Sequence, residues 1–268
     1  MSRTVNLVFL GDVNGAAGKV ALERSLPALR ERWRPDVIVA NAENARNGSG
    51  LTPELYRTFR GWGIDAVTLG DHAYRDTKIV PFLERPEEPI ARPANLSERS
   101  PGKRWSRIPA AGGRTRDIYV CTFLGRIFFP LPANDPFAAF DEVLGSIPER
   151  RPIVVAEAHM EATSEKAAFA AWCDGRAALV AGTHTHVPTA DARILAKGTG
   201  FITDVGMCGP YDSVIGRDTD AVVRHMTTAL PVQYEMGQGD ARVCGVFTEI
   251  SEDTGLANRI ERIEISAA

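Results

Sequence analysis

Ala177-Ala-Leu-Val-Ala181-Gly182-Thr-His184-Thr-His186 is a short apolar run that ends in two imidazoles one residue apart. Five apolar residues bounded by glycine fit a buried strand, and the polar residues after it lie at the strand's carboxyl end. The same arrangement recurs on either side. Ile153-Val-Val-Ala156 leads into Glu157-Ala-His159, and a helix is expected from about Ser164 to Cys173. Asp65-Ala-Val-Thr-Leu69 is followed by Gly70-Asp71-His72. Val37-Ile-Val-Ala40 leads into Asn41-Ala-Glu43-Asn44, after which Thr52 and Pro53 supply an N-cap and a first helical residue for a helix to about Trp62. Val5-Asn-Leu-Val-Phe-Leu10 ends in Gly11-Asp12, and an amphipathic segment from about Lys19 to Trp33, interrupted by Pro27, follows. Strands alternating with helices predict an α/β fold.

In such sheets ligands bind beyond the carboxyl ends of the strands. Four of the five histidines, His72, His159, His184 and His186, fall at strand ends, and only His225 does not. Packing histidines have no reason to gather there. Carboxylate, amide and imidazole groups without thiolates suit a catalytic manganese, iron or zinc site better than a closed structural zinc. The donors exceed the needs of one ion. Two ions about 3.5–4 Å apart would use them, and such a pair can hold the attacking and leaving oxygens of a phosphoryl displacement. His184 and His186 would share a side if the chain stayed extended there, whereas a turn could send them to different ions.

The ordered set Gly11-Asp12, Glu43-Asn44, Gly70-Asp71-His72, His159-Met-Glu-Ala-Thr-Ser-Glu-Lys166, Gly182-Thr-His-Thr-His-Val187 and Thr203-Asp-Val-Gly-Met207 closely resembles the YmdB-like branch of the calcineurin-like metallophosphoesterases. The resemblance extends along the whole chain through Arg92-Pro93-Ala-Asn95, Gly125-Arg126, Asp135-Pro-Phe137 and Asp174-Gly-Arg176. It implies one domain over residues 1–268, a four-layer α-β-β-α sandwich with two β-sheets, and phosphodiesterase activity on cyclic nucleotides, 2′,3′-cyclic ones preferred and 3′,5′-cyclic AMP as a further candidate. It also implies two metal ions, iron or manganese ahead of zinc, and a homo-oligomer. Residue by residue, it makes Asp12, Glu43, Asn44 and His186 ligands of one ion. Asp71, His159 and His184 join a bridging Glu43 around the other, and His72 is the proton donor to the leaving oxygen. Asp71 departs from the family pattern, which has asparagine there. The carboxylate adds a negative charge, so metal binding should persist with altered metal preference or rate. Met160, where alanine is usual, carries no functional implication.

The composition excludes several other classes. A net charge of −3 gives no general positive field for nucleic acid or anionic membrane. Met1 to Leu10 is too short and too weakly apolar for a signal peptide or a span, which predicts a cytoplasmic protein. Cys121, Cys173, Cys208 and Cys244 are widely spaced and read as reduced thiols. Gly11 to Gly18 lacks the residue order of a phosphate-binding P-loop. Arg92, Asn95, Arg126 and Arg176 are candidates for reaching substrate phosphate, Arg92 and Arg126 foremost. Arg99 to Arg116 gathers cations around Trp105 and offers an RNA contact, although a solvated hairpin describes it as well. Two rival functions remain. An amidohydrolase would carry its His-x-His pair on an early strand, unlike this chain. A metal-binding regulator with weak or lost catalysis, acting through a protein or RNA partner, draws support from Asp71 alone.

Overall fold

A computed structural model of the chain describes residues 3–267, so Met1, Ser2 and Ala268 lie outside the description, including the start of the N-terminal stretch read above. In chain order the elements are β1 (Thr4–Leu10), β2 (Asp12–Val13), α1 (Gly15–Trp33), β3 (Val37–Asn41), α2 (Pro53–Gly61), β4 (Ala66–Thr68), α3 (Val80–Glu84), β5 (Ser106–Ile108) and β6 (Ile118–Leu124). They continue with α4 (Pro136–Ser146), β7 (Ile153–His159), α5 (Thr163–Cys173), β8 (Leu179–Thr183), β9 (Arg193–Ile194), β10 (Gly200–Ile202), β11 (Met207–Asp212), α6 (Thr219–Thr228), β12 (Gly239–Ser251) and β13 (Ala257–Ser266).

The strands form two sheets. One runs β2-β11-β12-β1-β3-β4, with β13 also paired to β12, and the other runs β5-β6-β7-β8-β10-β9. The period-two alternation of side chains turns these sheets into four layers. Val5, Leu7 and Phe9 of β1 pack with Val37 and Val39 against Val120, Ile153, Val155 and Leu179 of the other sheet. Their neighbours Val8, Leu10, Ile38 and Ala40 face Leu22, Leu26 and Leu29 of α1 and Tyr56 and Phe59 of α2. On the far side, Tyr119, Cys121, Phe123, Val154 and Ala156 meet Phe140 and Val143 of α4 and Phe169 and Cys173 of α5. The result is an α-β-β-α sandwich. Strands buried on both faces explain why the sequence runs are apolar throughout instead of alternating. Each buried valine, leucine or phenylalanine contributes roughly 1.5–3 kcal/mol.

Helix α1 differs from the sequence expectation. It begins at Gly15 and continues through Pro27. Pro27 and Glu23 are both exposed, so the Glu23 carbonyl that loses its helical partner at Pro27 can be solvated. The four cysteines are buried and free. Among the described residues no helix is long and apolar enough to cross a membrane.

The parallel register puts the functional strand ends on one side. β1 pairs parallel with β3 and β3 with β4, while β7 pairs parallel with β6 and β8. Asn41 at the end of β3 donates through Nδ2 to Glu157 Oε1 of β7 at 2.7 Å, tying the carboxyl ends of the two sheets together.

Candidate metal centre

The donor residues leave their strands within a few positions of one another in space. Asp12 follows β1, and its two-residue strand pairs with Met207 and Cys208 of β11. Glu43 and Asn44 follow β3, where the Glu43 N–H is held by Asn41 Oδ1 at 3.0 Å and Gly48 N–H closes a turn on the Asn44 carbonyl at 2.9 Å. After β4, the His72 N–H donates to Glu43 Oε2 at 2.9 Å and so joins the third strand end to the second. His159 is the last residue of β7 and is fully buried.

Glu43, Asp71, His159 and His184 form one set whose ligand atoms all lie within 4.8 Å of one another. His159 Nε2 is 3.1 Å from Glu43 Oε1 and 3.0 Å from Asp71 Oδ1, and His184 Nδ1 is 3.4 Å from that same Asp71 oxygen. Beside it, His186 Nε2 lies 3.8 Å from Asp12 Oδ1 and 3.1 Å from Asn44 Nδ2. Metal–ligand bonds of about 2.0–2.2 Å put two donors on one ion no more than about 4.4 Å apart, so Asp12 and His186 are within reach of a common ion.

His184 and His186 part company because the chain leaves the strand at once. Their φ angles are 92° and 66°, in the left-handed region that side chains seldom adopt. The turn sends His184 toward Asp71 and His186 toward Asp12. Thr185 between them is pinned by Asp204 Oδ2, which accepts from its N–H at 3.2 Å and its hydroxyl at 2.8 Å. The same oxygen accepts from the fully buried Lys166 ammonium at 2.7 Å. This buried ion pair holds the histidine turn in place.

Hydrogen bonds behind the imidazoles choose which nitrogen faces the centre. Thr183 Oγ1 donates to the buried Glu157 carboxylate at 2.7 Å and accepts from His159 Nδ1 at 2.8 Å, leaving Nε2 for the centre. His186 Nδ1 donates to the Ile215 carbonyl at 2.9 Å, which leaves its Nε2 facing Asp12. His184 Nε2 is 3.2 Å from exposed Glu161, and the Phe129 ring packs at a tilt on the His184 ring with centroids 4.8 Å apart. Gly70 gives His159 its room, because a β-carbon there would clash with three atoms of the His159 ring, Nε2, Cδ2 and Cε1. Gly70→Ala is therefore expected to weaken manganese binding by about 10–100-fold or more, the scale of disturbing a ligand's support; calorimetric titration with Mn²⁺ measures it, and unchanged affinity would contradict the geometry.

The electrostatics of the centre fit a cation. Burial, with Glu43, Asp204 and Glu157 nearby, pushes the Asp12 carboxyl up to about 8. Burial opposes charge on His159, but Glu43, Asp71 and Glu157 outweigh it and raise its pKa well above the ordinary value. Burial lowers that of His186. Asp12 Oδ1 is a buried acceptor without a hydrogen-bond partner, 3.8 Å from His186 Nε2, whose lone pair faces the Asn44 amide nitrogen. Buried carboxylates that outnumber their cations are costly unless an ion joins them. The residues could hold a metal ion, with Glu43, Asp71, His159 and His184 as one donor set.

A cavity of about 430 Å³ opens over this cluster, lined by Asn14, Glu43, Asn44, Gly48, Asp71, His72, Glu161, His184, Thr185, His186, Ile215 and Arg217. The phosphate-reaching arginines expected from sequence do not line it. Arg92 is 3% exposed and spends its guanidinium on the Gly102, Pro93 and Ala94 carbonyls. Arg126 is exposed and tied to Glu165 through its backbone N–H. Asn95 bonds Leu124 and Asn134 backbone groups, and Arg176 pairs with Asp141 at 2.6 Å. In the stretch from Arg99 to Arg116, β5 does form a hairpin with β6. Trp105 is half-buried, packs edge-on against Tyr119 and donates to Ser146, so its ring is not displayed as a stacking platform. Arg104 and Arg107 pair with Glu142 and Asp117. Phe129, Asn14 and Arg217 carry no local sequence signal that marks them as site residues, and Glu161 lies within the His159–Lys166 motif without a role assigned from sequence.

The family model described as YmdB-like protein matches residues 8–263. This chain belongs to that family. The 2′,3′-cyclic-nucleotide 2′-phosphodiesterase of Bacillus subtilis (strain 168) is 40% identical over 262 residues, covering 98% of this chain and 97% of that relative. A hypothetical protein of Thermus thermophilus, known as a crystal structure, superposes with a TM-score of 0.87 at 40% identity, covering 97% of this chain and 99% of that one. A Mycoplasma pneumoniae phosphatase superposes at 0.89 with 31% identity, covering 99% and 95%. The YmdB-like resemblance read from the sequence motifs and the four-layer architecture it implied both hold.

Proposed function

We propose that the chain is a metal-dependent phosphodiesterase that takes two ions and hydrolyses 2′,3′-cyclic nucleotides. The observation that carries the reading is the division of the strand-end donors into two adjacent sets around Glu43. Asp12, Asn44 and His186 would hold one ion, Asp71, His159 and His184 the other, and Glu43 would serve both. When bound, such ions activate water and neutralise the phosphate's charge. Manganese and iron suit these donors, and zinc is not distinguished from them by donor type. The activity for which the Bacillus subtilis relative is named supports the substrate class.

The chain's own residues do the remaining work. His72 lines the cavity with its side chain 23% exposed, and its Nδ1 is 2.7 Å from Asn44 Oδ1. Donation from Nδ1 to that amide oxygen leaves Nε2 as the atom that exchanges a proton with substrate. A protonated Nε2 at that position can donate to the departing ribose oxygen, which is otherwise a poor leaving group. Asn44 spans the two roles, because its amide also reaches His186 Nε2 at 3.1 Å. Asp71 keeps an oxygen in the donor set, so the carboxylate that replaces the family's asparagine still offers a ligand atom.

Hydrolysis of bis-p-nitrophenyl phosphate and 2′,3′-cyclic AMP after chelation and after restoring manganese, iron or zinc tests the reading. Stripped protein is expected to be inert and reloaded protein active. Asp71→Asn is expected to keep metal and shift the ranking of the three metals. If fully loaded wild type is inert while Asp71→Asn turns over, the chain is a phosphoesterase scaffold silenced at that ligand.

A further inference from the structure

Arg217 occupies an unusual position. It lines the cavity over the donor cluster, and among the described residues it is the only lysine or arginine that does. Its guanidinium reaches the carbonyls of Asn47 at 3.3 Å and Gly48 at 3.2 Å and the Met236 sulfur at 3.2 Å, and it forms no ion pair with any described carboxylate. Two carbonyls and a thioether leave part of a five-donor fork without a strong acceptor. Burial lowers its pKa, and no neighbouring carboxylate offsets that.

The arm is also held in readiness. The backbone of Arg217 exchanges hydrogen bonds with Val214 at 2.9 and 3.0 Å, and it bridges to Met236. Two residues earlier, Ile215 accepts from His186 Nδ1, so the same loop that supports a donor imidazole presents this cation. Gly48 has φ 80°, and a β-carbon there would lie 2.6 Å from Arg217 Nη2. The glycine leaves the space that the guanidinium fills. Gly48 itself closes the turn that begins at Asn44. The cavity also has acidic walls, since Asp71 and Glu161 line it.

We propose that Arg217 is a substrate-binding residue whose guanidinium receives phosphate oxygens of the substrate. A planar fork with spare donors is matched to phosphate, and a half-buried cation without a counter-ion gains most when the ligand brings one. The anion is either the phosphodiester under attack or a second phosphate, such as that on the 5′ carbon of a nucleotide. The proposal rests on the phosphodiesterase reading.

The test measures KM and kcat of manganese-loaded wild type and Arg217→Gln on 2′,3′-cyclic AMP with and without a 5′-phosphate, together with bound manganese and the inhibition constant of inorganic phosphate. The expected result is a rise in KM of roughly 10–100-fold with kcat and metal content retained. A rise on both substrates, with weaker inhibition by phosphate, assigns the arm to the reacting phosphodiester. A rise confined to the 5′-phosphorylated substrate assigns it to the second phosphate. Arg217→Lys should recover part of the loss by restoring charge without the fork. Unchanged KM on both substrates overturns the proposal, as does a loss accompanied by lost manganese. If wild type turns over neither substrate, it is the phosphodiesterase reading that fails.

Discussion

Replacing His72 with alanine lowers kcat for 2′,3′-cyclic AMP by about 10²–10⁴-fold, the usual worth of a positioned general acid, while bound metal stays at the wild-type level. The ribose oxygen leaves as a strongly basic alkoxide unless it is protonated. The p-nitrophenolate of bis-p-nitrophenyl phosphate is a stable anion near neutrality and needs much less help. The loss is therefore expected to be far smaller on the aryl ester, and the ratio of the two losses is diagnostic. His72 is well placed for this separation of roles, because its contact with Asn44 Oδ1 fixes Nδ1 and its backbone N–H is held by Glu43. An equal loss on both esters, or a loss that follows departing metal, would show that His72 acts through the centre and not on the leaving group.

Asp204→Leu is expected to destabilise the fold by about 3–5 kcal/mol, because it strands a buried Lys166 ammonium without its counter-ion. Both partners are almost wholly shielded from solvent, 0% and 1% exposed. The same change frees Thr185, whose neighbours His184 and His186 are in left-handed backbone conformations that typically cost about 1–3 kcal/mol each. Manganese affinity should fall with stability. Adding Lys166→Met separates the two effects: the double variant should recover much of the stability, since buried pairs are often replaceable by apolar residues, yet bind manganese no better. Thermal melts and calorimetry read the two quantities. Recovery of metal affinity in the double variant would sink the idea that Asp204 positions the histidine turn.

Local sequence made the strand ends readable, since an apolar run such as Ile153-Val-Val-Ala156 followed by Glu157-Ala-His159 carries both its burial and its chemistry within a few residues. The division into two sheets was not readable that way. Both faces of β1 and β7 are buried, so no polar alternation marks which sheet a strand joins, and the two-sheet expectation came from the family resemblance. The arginines show the same limit. Arg92 looked free for phosphate, but the carbonyls that absorb it depend on a loop folding back to Gly102. Arg217 carries no local signal, because its setting is made by Asn47 and Gly48, about 170 positions earlier in the chain. The divergence of His184 and His186 was open in the sequence because it turns on two backbone angles that Asp204 helps to hold. Pro27 was a local signal that tertiary setting overrode, being on the exposed side of α1.

The central claim is two ions acting together on a phosphodiester, and titrating stripped protein with Mn²⁺ while following both binding and hydrolysis of 2′,3′-cyclic AMP tests it most directly. The account predicts two bound equivalents, with turnover tracking the doubly loaded form and lost when either Asp12 or His159 is replaced by alanine. Saturation at one equivalent with full activity, or two bound equivalents without any hydrolysis, would contradict it.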